Sequence, residues 1–311
     1  MKTVYPFLCF AVLIAAPLKL LGQPAPVRWE YQHPQMGTLF RLVLYAADSV
    51  QASEAARAAF RRIDSLNAIL SDYLPDSELS VLSDHSDWAE VSPALEQVLR
   101  KAQEIASQTD GAFDITIGPL SRLWRRASRQ GIFPDSLELA AAREKVGYQN
   151  LLIQPDKPLV KLLLPGMRLD AGGIAKGFAV DEAMAVLRSH GLPVALVDGG
   201  GDLLAGEAPP GKEGWEIEVV GDTVLVVTNR AVATSGAAYR HLDWQGRRYS
   251  HIIGPKEGLG VLHGKQVTVV APSCMLADAL ATALSVEPGL ETRLKAIYQD
   301  SSFRMGQAGE K

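Results

Sequence analysis

Stretches that read as β-strand alternate with stretches of helical spacing along the whole chain, and that change of hydrophobic period constrains the fold most. Thr38 to Tyr45 (TLFRLVLY) reads as a strand. Ala56, Ala59, Phe60, Ile63, Asn67 and Leu70 then recur at helical spacing, which predicts an amphipathic helix over roughly 50–71. Ser92-Pro93 is an N-cap followed by proline at the first helical position. Leu95, Val98, Leu99, Ala102 and Ala106 mark the buried face of that helix, and Gly111 stops it. Short strands are expected over 159–164 and 194–198. Trp215–Val220 and Val224–Thr228 read as a hairpin around Gly221-Asp222. Gln266–Ala271 reads as a buried strand leading into an apolar helix from Ser273 to about Val286, and 207–214 (EAPPGKEG) as a surface loop. No shift of composition marks a linker. The expectation is one α+β unit over residues 23–311 with a mostly antiparallel sheet.

Composition narrows the class. With 311 residues, 47% of them hydrophobic, the chain can bury a sizeable core, which excludes a disordered or fibrous protein. The net charge of −4 and the lack of any Lys/Arg run argue against a nucleic-acid partner. The N-terminus reads as an export signal over residues 1–22: Lys2, an apolar run from Val4 to Ala16, Pro17, then Gly22 before QPAPV. That run is short for a membrane span of about 20 residues. Cys9 sits within it, in the wrong context for a lipobox. Loss of Lys2 and Lys19 with the signal would take the charge from −4 to −6 and leave Cys274 as the single cysteine. No internal disulfide or cysteine zinc site can then form. The expected location is exported and periplasmic, with peripheral association to the inner membrane left open.

Five local constellations carry chemistry. In Asp170-Ala-Gly-Gly-Ile-Ala-Lys176-Gly, the glycines precede a helix whose face is Ala175, Phe178, Ala179, Ala183 and Val186 and whose end is His190-Gly191 with Pro193. Free amides and the positive end of the dipole there favour an anion such as phosphate. The alternative is a tight strand-to-helix turn with a solvated lysine. The glycine spacing is neither that of a P-loop nor that of a dinucleotide fingerprint. Asp198-Gly-Gly-Gly-Asp202 reads by itself as a hairpin or bulge. Asp278 and Thr282 stand one turn apart on an apolar helix, so a carboxylate and a hydroxyl share one buried face. A buried carboxylate needs a cation, several N–H donors or a metal. Oxygen donors without His or Cys suit a hard ion such as Mg²⁺; a paired arginine is the alternative. His251, beside the apolar Ile252-Ile253, is either a half-buried structural histidine or a general base. Gly111-Ala112-Phe113-Asp114 follows a helix end and offers an aromatic ring and a carboxylate, or simply a helix stop with a buried Phe.

Taken in order, these segments resemble the ApbE-type FAD:protein FMN transferases. The resemblance runs from Met36-Gly-Thr through Ser71-Asp-Tyr73-Leu-Pro-Asp-Ser-Glu78, Gly111-Ala-Phe-Asp114-Ile-Thr-Ile-Gly-Pro119 and Asp170-Ala-Gly-Gly-Ile-Ala-Lys176. It continues through Asp198-Gly-Gly-Gly-Asp202, Ala233-Thr-Ser-Gly236 and Ser250-His-Ile-Ile253 to Val267–Pro272 and Ala277-Asp278 with Thr282. It implies a two-layer α+β core related to the tunnelling fold. The implied activity is Mg²⁺-dependent transfer of FMN from FAD to a Thr or Ser hydroxyl of an exported or membrane electron-transfer flavoprotein, releasing AMP. By the same resemblance, Met36, Tyr73, Ala112, Phe113, Asp114, Asp170, Lys176 and Ile253 match FAD-binding positions. Asp278 and Thr282 match magnesium ligands, with the backbone oxygen of Gly173 beside them, and His251 matches the base for the incoming hydroxyl.

The chain departs from the family pattern at two places. Ala237 follows Thr-Ser-Gly where an acidic residue is common, and Gly254 follows Ser-His-Ile-Ile where Asp is usual. Two other outcomes therefore stay open for the same pocket: hydrolysis of FAD to FMN and AMP, or FAD binding without turnover. Residues 290–311 carry no functional signal.

Overall fold

The computed structural model describes residues 25–219, 223–236 and 241–307. The expected export signal, the Gly221-Asp222 turn and Ala237 lie outside the described residues. The first half of the chain runs β1 (Val27–Gln35), β2 (Thr38–Ala46), α1 (Ser49–Leu70), α2 (Glu78–Ser83), β3 (Ala89–Glu90), α3 (Pro93–Gln108), α4 (Gly118–Gln130) and α5 (Ser136–Arg143). It continues with β4 (Leu151–Ile153), β5 (Leu159–Leu162), α6 (Ala175–Ser189), β6 (Ala195–Asp198), β7 (Asp202–Ala205), β8 (Trp215–Val219) and β9 (Thr223–Val227). The last part is β10 (Arg230–Gly236), β11 (His241–Trp244), β12 (Arg247–Ser250), β13 (Lys265–Ala271), α7 (Cys274–Val286), α8 (Glu291–Ile297) and β14 (Ser302–Gln307).

Seven strands form the central sheet in the order β1-β2-β6-β7-β10-β13-β14, and each neighbouring pair is antiparallel. The α+β reading with a mostly antiparallel sheet therefore holds. β1 and β2 close through Met36-Gly37, both at positive φ (51° and 72°), the backbone that a two-residue hairpin turn demands. Within residues 290–311, silent in the sequence, the described part 291–307 supplies α8 and the strand β14 that pairs with β13.

β2 shows how the sheet divides its faces. Phe40, Leu42 and Leu44 are fully buried in the main core with α1, α6 and α7, while Val43 points to the opposite face. Each such buried leucine or phenylalanine contributes about 1.5–3 kcal/mol. The second face is covered by the β8–β9 ribbon, through Trp215, Ile217 and Val219 against Leu196, Leu203 and Val232. A third cluster joins α4 to β11 and β12 through Leu120, Trp124, Leu242, Tyr249 and Ile253.

Helix starts follow the predicted chemistry. Asp48 Oδ1 accepts from the amides of Val50 and Gln51 at 2.8 and 2.9 Å to start α1, and Ser92 Oγ accepts from Leu95 at 3.4 Å to start α3. The start of α7 is held twice. Ser273 Oγ accepts from Leu276, and Asp181, on α6, accepts from Cys274 and Met275 at 2.7 and 2.9 Å. That bond set and Gly177, which abuts the backbone of Cys274, lock α6 against α7. No helix among the described residues is long and apolar enough to cross a membrane.

Candidate functional site

The crossing of α6 and α7 brings together residues that the sequence scatters. Asp278, 5% exposed, lies on α7 and accepts a hydrogen bond from the Gly177 amide of α6 at 3.1 Å. The Lys176 ammonium sits 3.7 Å from Asp278 Oδ2 and pairs more closely with Asp202, which is 4% exposed at the start of β7. Burial and the nearby Asp202 carboxylate push the Asp278 carboxyl up to about 7, against the pull of Lys176. Burial disfavours the charge on Lys176, but Asp202 and Asp278 outweigh that and hold its pKa above the ordinary lysine value. One cation thus stands between two buried carboxylates, which leaves a net negative charge above about pH 7, where Asp278 is ionised.

Thr282 joins this group from the next turn of α7. A β-carbon on Gly173 would lie 3.0 Å from Thr282 Oγ1 and 3.3 Å from the Phe113 ring edge. A side chain here would push these neighbours back by a few tenths of an ångström, so glycine suits the close approach of the Asp170–Ile174 turn. The structure accordingly brings Gly173, Thr282 and Phe113 together, beside Lys176 and Asp278. α6 itself begins at Ala175, so the two glycines lie just before its first turn. Among the described residues no three His, Cys, Asp or Glu side chains gather around one point. The oxygen donors here are a carboxylate, a hydroxyl and backbone, with Asp202 behind Lys176.

Asp170, 8% exposed, holds that turn from below. Its Oδ1 accepts from the Gly172 amide at 2.8 Å and its Oδ2 from Arg125 at 2.7 Å. Arg125 also pairs with Asp72 and covers the Tyr73 ring, its guanidinium carbon 4.1 Å from the centroid. Burial and the Asp170 carboxylate raise the Asp72 pKa.

The remaining residues have partners of their own. Ala112 and Asp114 are buried with Phe113 in the loop after α3. The Asp114 carboxylate accepts from Thr116 (amide and hydroxyl, 2.8 and 2.7 Å) and from the Tyr148 amide at 2.8 Å, and burial raises its pKa. It therefore fixes this loop, which joins the Asp170 turn through Asp170 N–H to Ile115 O at 2.8 Å. Met36 packs its side chain on the main core. The Asp198–Asp202 segment is the expected hairpin turn: Asp198 Oδ1 accepts from Gly200 and Gly201 at 2.9 and 3.1 Å. Gly200, at φ 80°, lies against Thr38 at the foot of β2.

His251 is exposed, rather than half-buried, immediately after β12. Its turn is fixed on both sides: Ser250 Oγ accepts from Ile252 at 3.0 Å, the Ser250 amide donates to the Val261 carbonyl at 3.0 Å, and the Val261 amide donates to the Ile252 carbonyl at 2.9 Å. Ile253 packs in the α4 cluster, and the Gly258 carbonyl accepts from Trp124 Nε1 at 2.8 Å. The departure at Gly254 has a counterpart here. A β-carbon at 254 would lie 2.6 Å from Glu257 Oε2, so a carboxylate from three residues on fills the space of that missing side chain.

The family model described as ApbE family matches residues 36–302. The chain belongs to the ApbE family. A relative named FAD:protein FMN transferase from Salmonella typhimurium is 28% identical over 301 residues, 89% of this chain and 86% of the relative. One of the same name from Vibrio cholerae is 32% identical over 291 residues, covering 88% and 86%. The crystal structure of the apbe protein from Thermotoga maritima superposes with a TM-score of 0.80 at 29% identity, over 90% of this chain and 97% of that one.

Arg125, Asp72, Asp181 and Asp202 were not singled out as site residues from the sequence. Asp202 closes a glycine-rich segment that belongs to the family resemblance but reads by itself as a hairpin or bulge, and nothing in its spacing points to Lys176. Arg125 stands in Ser-Arg-Leu-Trp-Arg-Arg with nothing to distinguish it from Arg122 or Arg126.

Proposed function

We propose that this ApbE-family chain transfers FMN from FAD to a Ser or Thr hydroxyl of an acceptor polypeptide and releases AMP. The observation that carries the reading is the Lys176–Asp202–Asp278 cluster at the α6–α7 crossing, with Gly173 and Thr282 adjoining it. The activity named for the relatives supports it. The acceptor hydroxyl attacks the phosphorus of the FMN half, the bond from that phosphorus to the bridging oxygen breaks, and AMP leaves with that oxygen. The hydroxyl proton passes to His251, whose turn is fixed by Ser250 and Val261. Phosphoryl transfer asks for positioning and charge neutralisation rather than covalent chemistry from the protein.

The donor set fits a hard divalent ion: the Asp278 carboxylate, the Thr282 hydroxyl and the backbone of Gly173 are all oxygen donors beside net negative charge. Mg²⁺ held by these three would neutralise the diphosphate and lower the barrier to its cleavage. Lys176 places a fixed positive charge beside the same diphosphate. The Gly172-Gly173 turn opens the backbone for close approach, Phe113 closes one wall, and Tyr73 offers an exposed ring for stacking. Met36, Ala112, Asp114, Asp170 and Ile253 shape the surrounding pocket, the last through the loop that carries His251. Glu257 keeps an acidic group on that loop despite Gly254. We place the chain as an exported protein acting on an electron-transfer flavoprotein, on the strength of residues 1–22 and the family.

The test is to mix purified protein, FAD, Mg²⁺ and an exported flavoprotein bearing a Ser or Thr acceptor site. Flavin fluorescence retained on the acceptor in a denaturing gel, with one AMP per label, is the expected result. FMN and AMP without label would show hydrolysis instead, and unchanged FAD would overturn the catalytic reading.

A further inference from the structure

One cation beside this site takes no part in the phosphate chemistry above. Arg125, on α4, lies with its guanidinium over one face of the Tyr73 ring. The guanidinium is clamped in turn, one arm on Asp72 and the other on Asp170. Tyr73 is 68% exposed, so its other face is open to solvent.

An exposed loop tyrosine samples several rotamers, and ordering it on binding weakens affinity. A guanidinium held by two carboxylates removes that freedom, because its plane fits the ring face while its edge fits the acids. Direct contacts then run from the Tyr73 ring through Arg125 and Asp170 Oδ2 to Asp170 Oδ1 and the Gly172 amide. Gly173 follows immediately against Thr282. The ring surface and the diphosphate seat are one connected unit, with Arg125 as the link. Lysine has neither the planar group nor the fork to replace it.

We propose that Arg125 is a positioning residue that presets Tyr73 as a stacking platform for a flat heteroaromatic ring of the dinucleotide, at a fixed separation from the Gly172-Gly173 turn. The proposal rests on the flavin-transfer reading and adds to it the determinant of ring affinity. Arg125 sets how tightly the dinucleotide is held, and His251 and the carboxylate pair set how fast it reacts.

The experiment uses the whole protein with Arg125→Lys and Arg125→Met, alone and combined with Tyr73→Leu. FAD, FMN and ADP are titrated separately, and transfer kinetics and thermal midpoints are recorded for each variant. The expected result is a rise of about tenfold in Kd and KM for FAD with kcat changed less than twofold. Only one of FMN and ADP should weaken, and that one names the ring on Tyr73. In the Tyr73→Leu background the Arg125 substitutions should add nothing. FAD affinity within twofold of the native protein, equal loss with and without Tyr73, or equal weakening of FMN and ADP would each overturn the proposal. Should the Arg125 variants not fold, Asp72→Asn frees one arm of the clamp, and an unchanged FAD Kd in that variant refutes it. Native protein that neither binds FAD nor labels the acceptor would instead overturn the flavin reading itself.

Discussion

Gly177→Ala separates local propensity from the packing of the site. In an open helix this change stabilises by about 1 kcal/mol, since alanine is the better helix former. Here a β-carbon would meet the Cys274 carbonyl oxygen and lie 2.6 Å from the Cys274 carbonyl carbon and 2.8 Å from the Met275 amide nitrogen. All three are backbone atoms at the capped start of α7 and cannot rotate away. Restoring a carbon contact of about 3.5 Å requires a displacement of roughly 0.9 Å between the helices. Overpacking of this kind costs about 1–3 kcal/mol. The same displacement stretches the Gly177–Asp278 hydrogen bond, now 3.1 Å, out of range. A bond to a charged group contributes about 1.5–3 kcal/mol. The net expectation is a loss of about 2–5 kcal/mol, a fall in melting temperature of about 5–15 °C. FMN transfer should drop at least about tenfold, because Asp278 moves relative to Lys176 and Gly173. Thermal unfolding by circular dichroism and the gel assay measure both. A melting temperature equal to or above the native value would show that α6 and α7 do not meet backbone to backbone at Gly177.

Other substitutions probe the chemistry. Asp278→Asn keeps an acceptor for the Gly177 amide but removes a charged ligand, so metal-dependent transfer should fall about 100-fold or more with little change in melting temperature; native rates would remove Asp278 from the site. In the native protein, apparent Mg²⁺ affinity measured by transfer rate should weaken as pH drops below about 7, where the Asp278 carboxyl takes up its proton. His251→Ala should lower kcat about 10²–10⁴-fold while the FAD Kd from fluorescence titration stays within twofold, and an unchanged kcat would exclude it as the base. Burial pushes the Asp181 carboxyl up from 3.8 to about 6, so the folded state holds its proton at higher pH than the unfolded chain does. Its contribution to stability is thus full below about 4 and is lost as pH rises through about 6, about 3 kcal/mol in all. Urea unfolding across that range should show a flatter profile for Asp181→Asn, and parallel profiles would contradict the assignment.

Much of the fold could be read from the sequence because it is written in local periods. The strand at 38–45, the helices near 50–71 and 93–108, the 215–228 hairpin and the strand and helix at 266–286 all appear within a residue or two of the expected bounds. β1 escaped because its polar residues and Pro34 mask the alternation of Trp29, Tyr31 and His33. α4 escaped because four arginines obscure a buried face of Leu120, Leu123, Trp124 and Ala127. The site was legible only within segments. The i, i+4 relation of Asp278 and Thr282 and the tight Gly172-Gly173 turn follow from spacing. The pairing of Lys176 with Asp202, of Gly177 with Asp278 and of Arg125 with Asp170 joins residues 26, 101 and 45 positions apart, and nothing local encodes such meetings.

The lysine between the two buried acids has a further consequence for how this protein matures. Many metalloproteins stay unfolded until an ion relieves the repulsion among their ligands, and chelators denature them. Here an internal counter-ion quiets that repulsion from the moment the chain collapses. If a divalent ion loads beside this group, folding would not wait for it, and stripping the ion should lower activity while the melting temperature stays unchanged.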